Sequence, residues 1–125
     1  MSYNLDQGIA ICTFNRQDQI VDVINAVLTT KPSAARVVIC DDGSTDDTVQ
    51  TIQKEFPTLT ILTGPNLGVG ANKNRALYAL RNYNFVCILE DDLVPTQPEW
   101  FEMYQEFCLL WYVECQYLRL IFFVQ

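Results

Sequence analysis

A short apolar run that leads directly into a cluster of acids constrains the fold of this chain more than any other stretch. Residues 37–40 are Val-Val-Ile-Cys, and Asp41, Asp42, a glycine and Ser44 follow without a break. A run of this length, apolar on both faces and closed by turn residues, is typical of a buried strand in a parallel sheet. Ser44 can cap a following helix, because its hydroxyl can accept an N–H of the first turn. Asp41 and Asp42 are therefore predicted at the carboxyl edge of the sheet, where open α/β proteins bind ligands.

The rest of the chain alternates between the same two kinds of segment. Apolar runs predict four strands, at residues 8–13, 36–40, 58–62 and 84–89. Segments with apolar residues at helical spacing follow them, at residues 17–30, 45–55, 71–82 and 98–107. This order predicts an α/β fold with a mainly parallel sheet of about four strands, right-handed crossovers and helices on both faces.

The composition excludes several functions. The 125 residues carry a net charge of −7 and include no histidine, so a histidine triad, metal site or general base is excluded. With 15 acidic and 8 basic residues the chain is not expected to bind nucleic acid, because phosphate binding needs a basic patch. An acidic protein can still bind a nucleotide when a divalent cation lies between its carboxylates and the phosphates.

The cysteines and the N-terminus predict a cytoplasmic protein, or one at the cytosolic face of a membrane. No two of the five cysteines have the Cys-x-x-Cys spacing of a structural zinc site. Cys12, Cys40 and Cys87 lie inside apolar runs, where cysteine is usually a small buried hydrophobe. An odd number with this placement is typical of a reducing compartment, and residues 1–7 contain no apolar signal core.

Three polar clusters each follow a predicted strand, at residues 13–16 (Thr-Phe-Asn-Arg), 41–42 (Asp-Asp) and 90–92 (Glu-Asp-Asp). Because parallel strands end at the same edge of a sheet, these clusters are predicted to converge into one polar site. Adjacent carboxylates repel one another unless a cation neutralises them, and hard divalent ions bind such oxygens together with phosphate. Residues 90–92 are therefore a candidate clamp for Mn²⁺ or Mg²⁺ and a diphosphate.

Other side chains near this edge suit a nucleotide. Asp42 can accept an N–H from a base, and Asn15 and Arg16 offer donors to base carbonyls or to phosphate. Lys73 and Arg75 follow a glycine-rich loop and can meet the charge of a diphosphate. The Gly-x-Gly of that loop is a poor dinucleotide fingerprint, because it follows the third predicted strand and lacks a third glycine.

Four ordered motifs resemble family 2 glycosyltransferases of the GT-A fold. They lie at residues 13–16, 38–46, 66–74 and 88–92, within a resemblance that covers residues 8–107. The resemblance implies a Rossmann-like half-domain that binds a nucleoside diphosphate sugar with Mn²⁺ or Mg²⁺, a UDP-sugar being the expected donor. It implies transfer of the sugar to an acceptor hydroxyl with inversion, by a general base that these motifs do not identify.

The resemblance also implies roles for single residues. Those expected to bind the donor are Thr13, Asn15, Arg16, Asp41, Asp42, Asn66, Gly68, Lys73 and Asp91. Among these, Asp42 is expected to hold the base. Residues 90–92 correspond to the Asp-x-Asp motif of the family in its Glu-Asp-Asp form, which makes Asp92 the expected metal ligand together with Glu90.

Residues 108–125 differ in character, being aromatic and β-branched with Glu114 and Arg119 as their only charges. Family members are about twice as long as this chain, and nothing after residue 107 resembles their acceptor-binding half. We therefore predict a nucleotide-sugar-binding domain at residues 1–107 and a hydrophobic tail at 108–125, from a truncation or a frameshift. The tail can instead be one more core strand or helix, a segment that drives self-association, or a membrane contact.

Three other functions are weighed against glycosyl transfer. The first is a truncated, non-catalytic module that binds a nucleotide sugar but lacks the acceptor half and the general base. A sugar nucleotidyltransferase is disfavoured, because residues 13–16 contain no glycine-rich loop. A receiver-like phospho-acceptor domain is disfavoured too, because residues 62–64 supply no aspartate after the third predicted strand.

Overall fold

The computed structural model describes the backbone of residues 6–110 and 120–124 and the side chains of residues 6–106. Its strands are β1 (Gln7–Thr13), β2 (Arg36–Asp41), β3 (Thr60–Thr63), β4 (Phe85–Glu90) and β5 (Leu120–Val124). Its helices are α1 (Ile20–Thr30), α2 (Thr48–Glu55), α3 (Val69–Ala79) and α4 (Trp100–Leu110). The strands form one sheet in the order β3-β2-β1-β4-β5, and every neighbouring pair is parallel. The predicted parallel α/β fold is confirmed, with β5 added to the four expected strands.

The strand register brings the polar clusters to one edge of the sheet. Thr13 at the end of β1 pairs with Asp41 at the end of β2, and Asp41 pairs with Thr63 at the end of β3. On the other side of β1, Cys12 pairs with Glu90, the last residue of β4. Since all these strands point the same way, the chain leaves each of them at this carboxyl edge.

Two separate apolar clusters bury the two faces of the sheet. On one face, Ile9 and Ile11 of β1 pack with residues of α1, α2 and α4. On the other face, Ala76 of α3 and Leu80 just after it pack on a surface where the small side chains of Ala10, Cys12 and Cys40 lie among larger ones, namely Val38, Val86 and Ile88. Helices therefore cover both faces, as predicted, with α1, α2 and α4 on one face and α3 on the other.

Two contacts of the first turn of α4 fix this helix to the domain. Trp100 Nε1 donates a hydrogen bond of 2.6 Å to Thr30 Oγ1 at the end of α1. The ring of Phe101 meets that of Phe85 edge-to-face, with centroids 5.5 Å apart. Trp100 and Phe101 are both buried, so the start of α4 is anchored against α1 and β4.

The predicted tail is partly inside the sheet. Helix α4 continues past residue 107 to Leu110, and residues 120–124 form β5, which pairs with Phe85–Leu89 of β4. For this segment, the alternative of a further strand therefore agrees with the structure. Residues 111–119 lie outside the described residues, and the domain boundary at 107, the truncation and self-association remain predictions.

Several elements have bounds that differ from the predicted ones. Helix α1 starts at Ile20 and β3 starts at Thr60, because short turns occupy the residues before them. Helix α3 begins and ends earlier than the predicted 71–82, running from Val69 to Ala79, after Gly68, whose φ of 99° only glycine adopts readily. None of the helices in the described part of the chain is both long and apolar enough to cross a membrane. The cytoplasmic location remains a prediction.

Candidate functional site

Asp41 holds the turn after β2 in place. Its side chain is fully buried and accepts hydrogen bonds from the Ser44 backbone N–H at 3.0 Å and from the Ser44 hydroxyl. Thr63 Oγ1, at the end of β3, donates a third bond of 2.8 Å. Such a carboxylate is well satisfied within the protein. A direct role of Asp41 in donor binding remains a prediction.

Asp42 fixes the glycine-rich loop over the sheet edge. Its side chain is buried, and its two carboxylate oxygens accept the N–H groups of Leu67 at 3.0 Å and Gly68 at 3.1 Å. Its own N–H donates to the carbonyl of Thr13 at 3.0 Å. Asp42 therefore links the chain segments that follow β1, β2 and β3. Each carboxylate oxygen has a further lone pair, so the predicted contact with a base stays chemically feasible.

Gly43 allows the glycine-rich loop to approach this closely. Its φ is +72°, in the left-handed region, and an added Cβ would lie 2.7 Å from Asn66 N and 2.8 Å from the carbonyl oxygen of Gly64. Both of those atoms belong to the backbone, so a side chain at residue 43 would push the two loops apart. Asn66 itself is exposed at the tip of the loop.

Asn15 joins the loop after β1 to the loop after β2. It has a φ of 51°, and its Oδ1 accepts the N–H groups of Thr45 at 2.8 Å and Asp46 at 3.3 Å. Its own N–H donates to Ser44 Oγ at 2.8 Å. The sequence predicts Asn15 as a hydrogen-bond donor to a nucleotide, whereas in the structure its amide oxygen accepts hydrogen bonds from within the protein. Its donor-binding role remains a prediction.

Asp46 lies in the same loop and has a shifted pKa. Partial burial acts to raise the pKa of its carboxyl, but hydrogen bonds from Thr48 and from the Gln17 N–H stabilise the charged form. The pKa of Asp46 is therefore below its ordinary value. The Thr48 hydroxyl also accepts the N–H of Arg16 at 2.8 Å, so the start of α2 is tied to the loop after β1.

The three acids at the end of β4 have different surroundings. Asp91 is buried, accepts the Phe14 N–H at 3.1 Å and lies 3.4 Å from Arg16 Nε. Glu90 forms an ion pair of 2.8 Å with Lys73 Nζ of α3. Asp92 is exposed to solvent. Within residues 6–106, no three acidic or cysteine side chains are grouped so that they could hold a metal ion by themselves.

The positions of these acids determine how the expected Mn²⁺ or Mg²⁺ could bind. The donor set consists of carboxylate oxygens, which suits a hard cation, but residues 6–106 do not form a closed cage around one. Mg²⁺ commonly binds through one or two carboxylates and completes its shell with water and substrate phosphates. The exposed Asp92, with Glu90 beside it, fits that mode of binding. The residues are therefore compatible with an ion that is held jointly with a diphosphate.

Asn72, on the buried side of α3, is a site residue that the sequence reasoning missed. Its Nδ2 donates to the Cys40 carbonyl at 2.8 Å, and its Oδ1 accepts from Arg75 Nη1 at 2.8 Å. Arg75 Nη1 also donates to the Asp41 carbonyl at 2.7 Å. These bonds lock the first turns of α3, which carry Lys73, onto the end of β2. The sequence signal that could have identified Asn72 is its position on the buried face of the helix, one turn before Ala76.

The buried polar groups behind the edge are not nucleophiles. Burial, with the neighbouring Cys40 and Glu90, raises the pKa of the Cys12 thiol from 9.0 to about 12. Burial likewise raises the pKa of Cys40 to about 11, although Arg75 acts in the opposite direction. Both groups are therefore neutral thiols at physiological pH. Within the described residues, the buried Thr13 hydroxyl has no hydrogen-bond partner, and Thr13 remains a candidate donor-binding residue.

An apolar cavity of about 510 Å³ lies beside the acids after β4. Leu89 and Leu93 form its wall next to the acids, and Trp100, Met103 and Tyr104 form its wall on α4. The site therefore has a polar side, towards β1 and β2, and an apolar side, towards α4.

The sequence is similar to several glycosyl-transferring proteins. Residues 8–116 match the model of the family described as Glycosyl transferase family 2. A chondroitin synthase of Escherichia coli is 30% identical over 90 residues, which cover 70% of this chain and 13% of that protein. A chondroitin synthase of Pasteurella multocida strain Pm70 and a hyaluronan synthase of Pasteurella multocida are each 30% identical over 88 residues, covering 68% of this chain and 9% of theirs. The matched segment is thus a small part of each of these relatives.

The family match extends over most of the chain and includes all three polar clusters at the sheet edge. The parallel sheet, with helices on both faces, is the α/β architecture that the GT-A resemblance implied. The chain therefore belongs to glycosyl transferase family 2, and its fold is consistent with a GT-A half-domain.

Proposed function

We propose that the carboxyl edge of the sheet binds a nucleoside diphosphate sugar together with Mn²⁺ or Mg²⁺. In this proposal the chain is the donor-binding part of a glycosyltransferase that transfers the sugar to an acceptor hydroxyl. The observation that supports it most is the set of cross-links between the segments at the ends of β1, β2, β3 and β4. Asp42, after β2, bonds to Thr13 at the end of β1 and to Leu67 and Gly68 after β3, and Asp91, after β4, bonds to Phe14. Loops that are fixed in this way offer a preorganised surface to a ligand.

The paired charges at the edge suit a metal diphosphate. Arg16 and Lys73 are each paired with an acid, Asp91 and Glu90 respectively. A diphosphate can take the place of the acids as partner of the two cations, while a divalent ion neutralises Asp92 and Glu90. When bound, the ion would stabilise the negative charge of the departing nucleoside diphosphate. The chain itself would bind and orient the donor.

The nucleoside is assigned to the polar side of the site. Asp42 would accept an N–H of the base, with uracil expected, while Thr13 and Asn15 would line the same pocket. Asn66 and Gly68, on the loop that Asp42 anchors, would lie beside the ribose and diphosphate. The names of the similar synthases favour a saccharide as the acceptor.

A second candidate is a module that binds the donor without transferring the sugar. Of the acids at this edge, Asp41, Asp42, Glu90 and Asp91 have partners within the protein. Asp92 is then the candidate metal ligand, so none of these five acids is left as a separate general base for the acceptor. Turnover would then need a base from outside these residues.

Calorimetric titration of the 125-residue chain with UDP, in MnCl₂ or in EDTA, tests the proposal. We expect binding only with the metal, and Asp92→Ala should weaken it at least tenfold, which corresponds to about 1.4 kcal/mol. The matched control is Glu55→Ala, which removes an exposed carboxylate from the last residue of α2, at the opposite edge of the sheet. Circular dichroism should show that both variants remain folded.

A transfer assay with UDP-sugars and saccharide acceptors separates the two candidates. Turnover would support the transferase, whereas binding without turnover would support the module. The absence of UDP binding at every metal concentration would contradict both. Metal-dependent affinity that persists in Asp92→Ala would contradict the assignment of Asp92.

A further inference from the structure

We propose that a second cavity, between β3 and α3, binds a small elongated polyanion. Its volume is about 600 Å³, which is within the range of small-molecule sites. Arg36 of β2, Arg75 and Tyr78 of α3, and Arg81 just after α3 contribute to its walls. Of the residues considered above for the donor or the metal, Arg75 alone lines it, and Arg75 Nη1 is bonded within the protein to Asn72 and to the Asp41 carbonyl.

The cavity exists because α3 does not cover the whole of its face of the sheet. Strand β3 has only four residues and stands at the edge of the sheet. Helix α3 packs mainly on β2, β1 and β4, so the α3 side of β3 is left open. Leu62, which faces that side, is accordingly only half-buried.

The charge of this cavity is opposite to that of the protein. The chain has a net charge of −7, yet three arginines line this one surface. In the described part of the chain, the salt bridges to carboxylates belong to Arg16 and Lys73, and Arg36, Arg75 and Arg81 form none. Guanidinium groups suit oxyanions, because they present several N–H donors in a planar fork.

Neutral groups hold the three guanidinium groups in place. Arg36 Nη2 donates weakly to Thr60 Oγ1 at 3.4 Å. Arg75 Nη1 is held by a backbone carbonyl and a side-chain amide, at 2.7 and 2.8 Å. Arg81 Nη1 donates to the Tyr78 carbonyl at 2.9 Å, and its Cζ lies 4.2 Å from the centre of the Tyr78 ring. These contacts orient the cations without neutralising them, which is the condition that an anion site requires.

The positions of the arginines predict the shape of the ligand. Arg36 contacts Thr60, the first residue of β3, whereas Arg75 contacts Asp41, which pairs with Thr63, the last residue of β3. Three residue steps along a strand span about 10 Å. A ligand with oxyanion groups near both ends, separated by roughly this distance, would reach both cations. The exposed Tyr78 ring adds an apolar surface beside them.

Titration with tripolyphosphate in EDTA tests the inference on the full chain, since EDTA removes the metal on which the donor site would depend. We expect binding in 0.15 M salt that is weakened at least fivefold by Arg36→Gln and by Arg81→Gln, and further by both together. Lys54→Gln is the matched control, because it removes a cation from the last turn of α2. Arg75 is left unchanged because it also supports the end of β2.

Each outcome of this experiment decides the inference. Orthophosphate should bind much more weakly than tripolyphosphate; equal affinity would refute the elongated ligand. Absence of tripolyphosphate binding, or an equal loss in Lys54→Gln, would refute the site itself. Citrate serves as a second arm, since it separates recognition of phosphates from recognition of carboxylates. UDP binding with Mn²⁺ should be unchanged in both arginine variants, so failure here is distinguishable from failure of the donor site.

Discussion

Replacing Asp42 by alanine separates an anchoring role in the free protein from a role in ligand binding. Asp42 is 6% exposed, and its carboxylate accepts two backbone N–H groups, at 3.0 and 3.1 Å. Hydrogen bonds to charged groups each contribute about 1.5–3 kcal/mol to stability. The low end of this range applies, because Leu67 is exposed and water can reach the released N–H groups. We therefore expect Asp42→Ala to lower the free energy of unfolding by about 3 kcal/mol.

Thermal and urea unfolding of the ligand-free protein measure this loss. For a domain of this size about 3 kcal/mol corresponds to a fall in Tm of roughly 10 °C. Hydrogen exchange at the amides of Leu67 and Gly68 should become faster in the same variant, because their acceptor is gone. Asp47→Ala is the control, since Asp47 is exposed in the neighbouring loop and its side chain makes no cap hydrogen bond. An unchanged Tm with unchanged exchange would refute the anchoring role.

Ligand titrations with the same variant address the base contact. If Asp42 also meets the base, Asp42→Ala should weaken binding of uridine nucleotide beyond the loss seen with pyrophosphate. Equal losses for both ligands would contradict the base contact and leave the anchoring of the glycine-rich loop intact.

Three further predictions concern the packing around the site. Gly43→Ala should destabilise the protein by about 2 kcal/mol or more in urea unfolding, because the left-handed residue has no room for a Cβ; a loss below about 0.5 kcal/mol would contradict the loop contact. Stability should fall as the pH rises above 9, because unfolded thiols lose their protons near 9.0 while native Cys12 and Cys40 keep theirs to about 12 and 11. In that window each thiol lowers the free energy of unfolding by up to about 1.4 kcal/mol per pH unit. Replacing both cysteines by alanine should therefore make the free energy of unfolding fall less steeply with pH; an unchanged pH dependence would refute the raised thiol pKa values. Trp100→Phe should lower the free energy of unfolding, measured by calorimetry, by about 1 kcal/mol, because it removes the hydrogen bond to Thr30. Adding Thr30→Val to this variant should lower it little further; fully additive losses would show that the two side chains are not coupled.

The convergence of the polar clusters could be predicted from the sequence, because it depends only on strand direction. Apolar runs give the strands, the intervening helices make them parallel, and the residues after each strand must then meet at one edge. The partners of Asp42 could not be predicted in this way. They lie 25 and 26 residues further along the chain, and their position depends on the path of a loop that has no periodic pattern.

The acids at residues 90–92 show a second limit of the sequence reasoning. Three consecutive carboxylates suggest one dense cluster, but successive side chains at the end of a strand point to opposite sides. Asp91 accordingly turns inward to Phe14 and Arg16, while Glu90 meets Lys73. A sequence pattern identifies the residue types, whereas the backbone decides which of them can share a ligand.

The small side chains beneath α3 have a consequence for how such a site can diversify. Ala10, Cys12 and Cys40 set the distance between this helix and the sheet, and Lys73 is carried by the same helix. A bulkier residue at position 10 or 40 would lift α3 and lengthen the contact between Lys73 and Glu90, without altering either residue. Affinity for a diphosphate can therefore be tuned by the volume of residues that a substrate never meets.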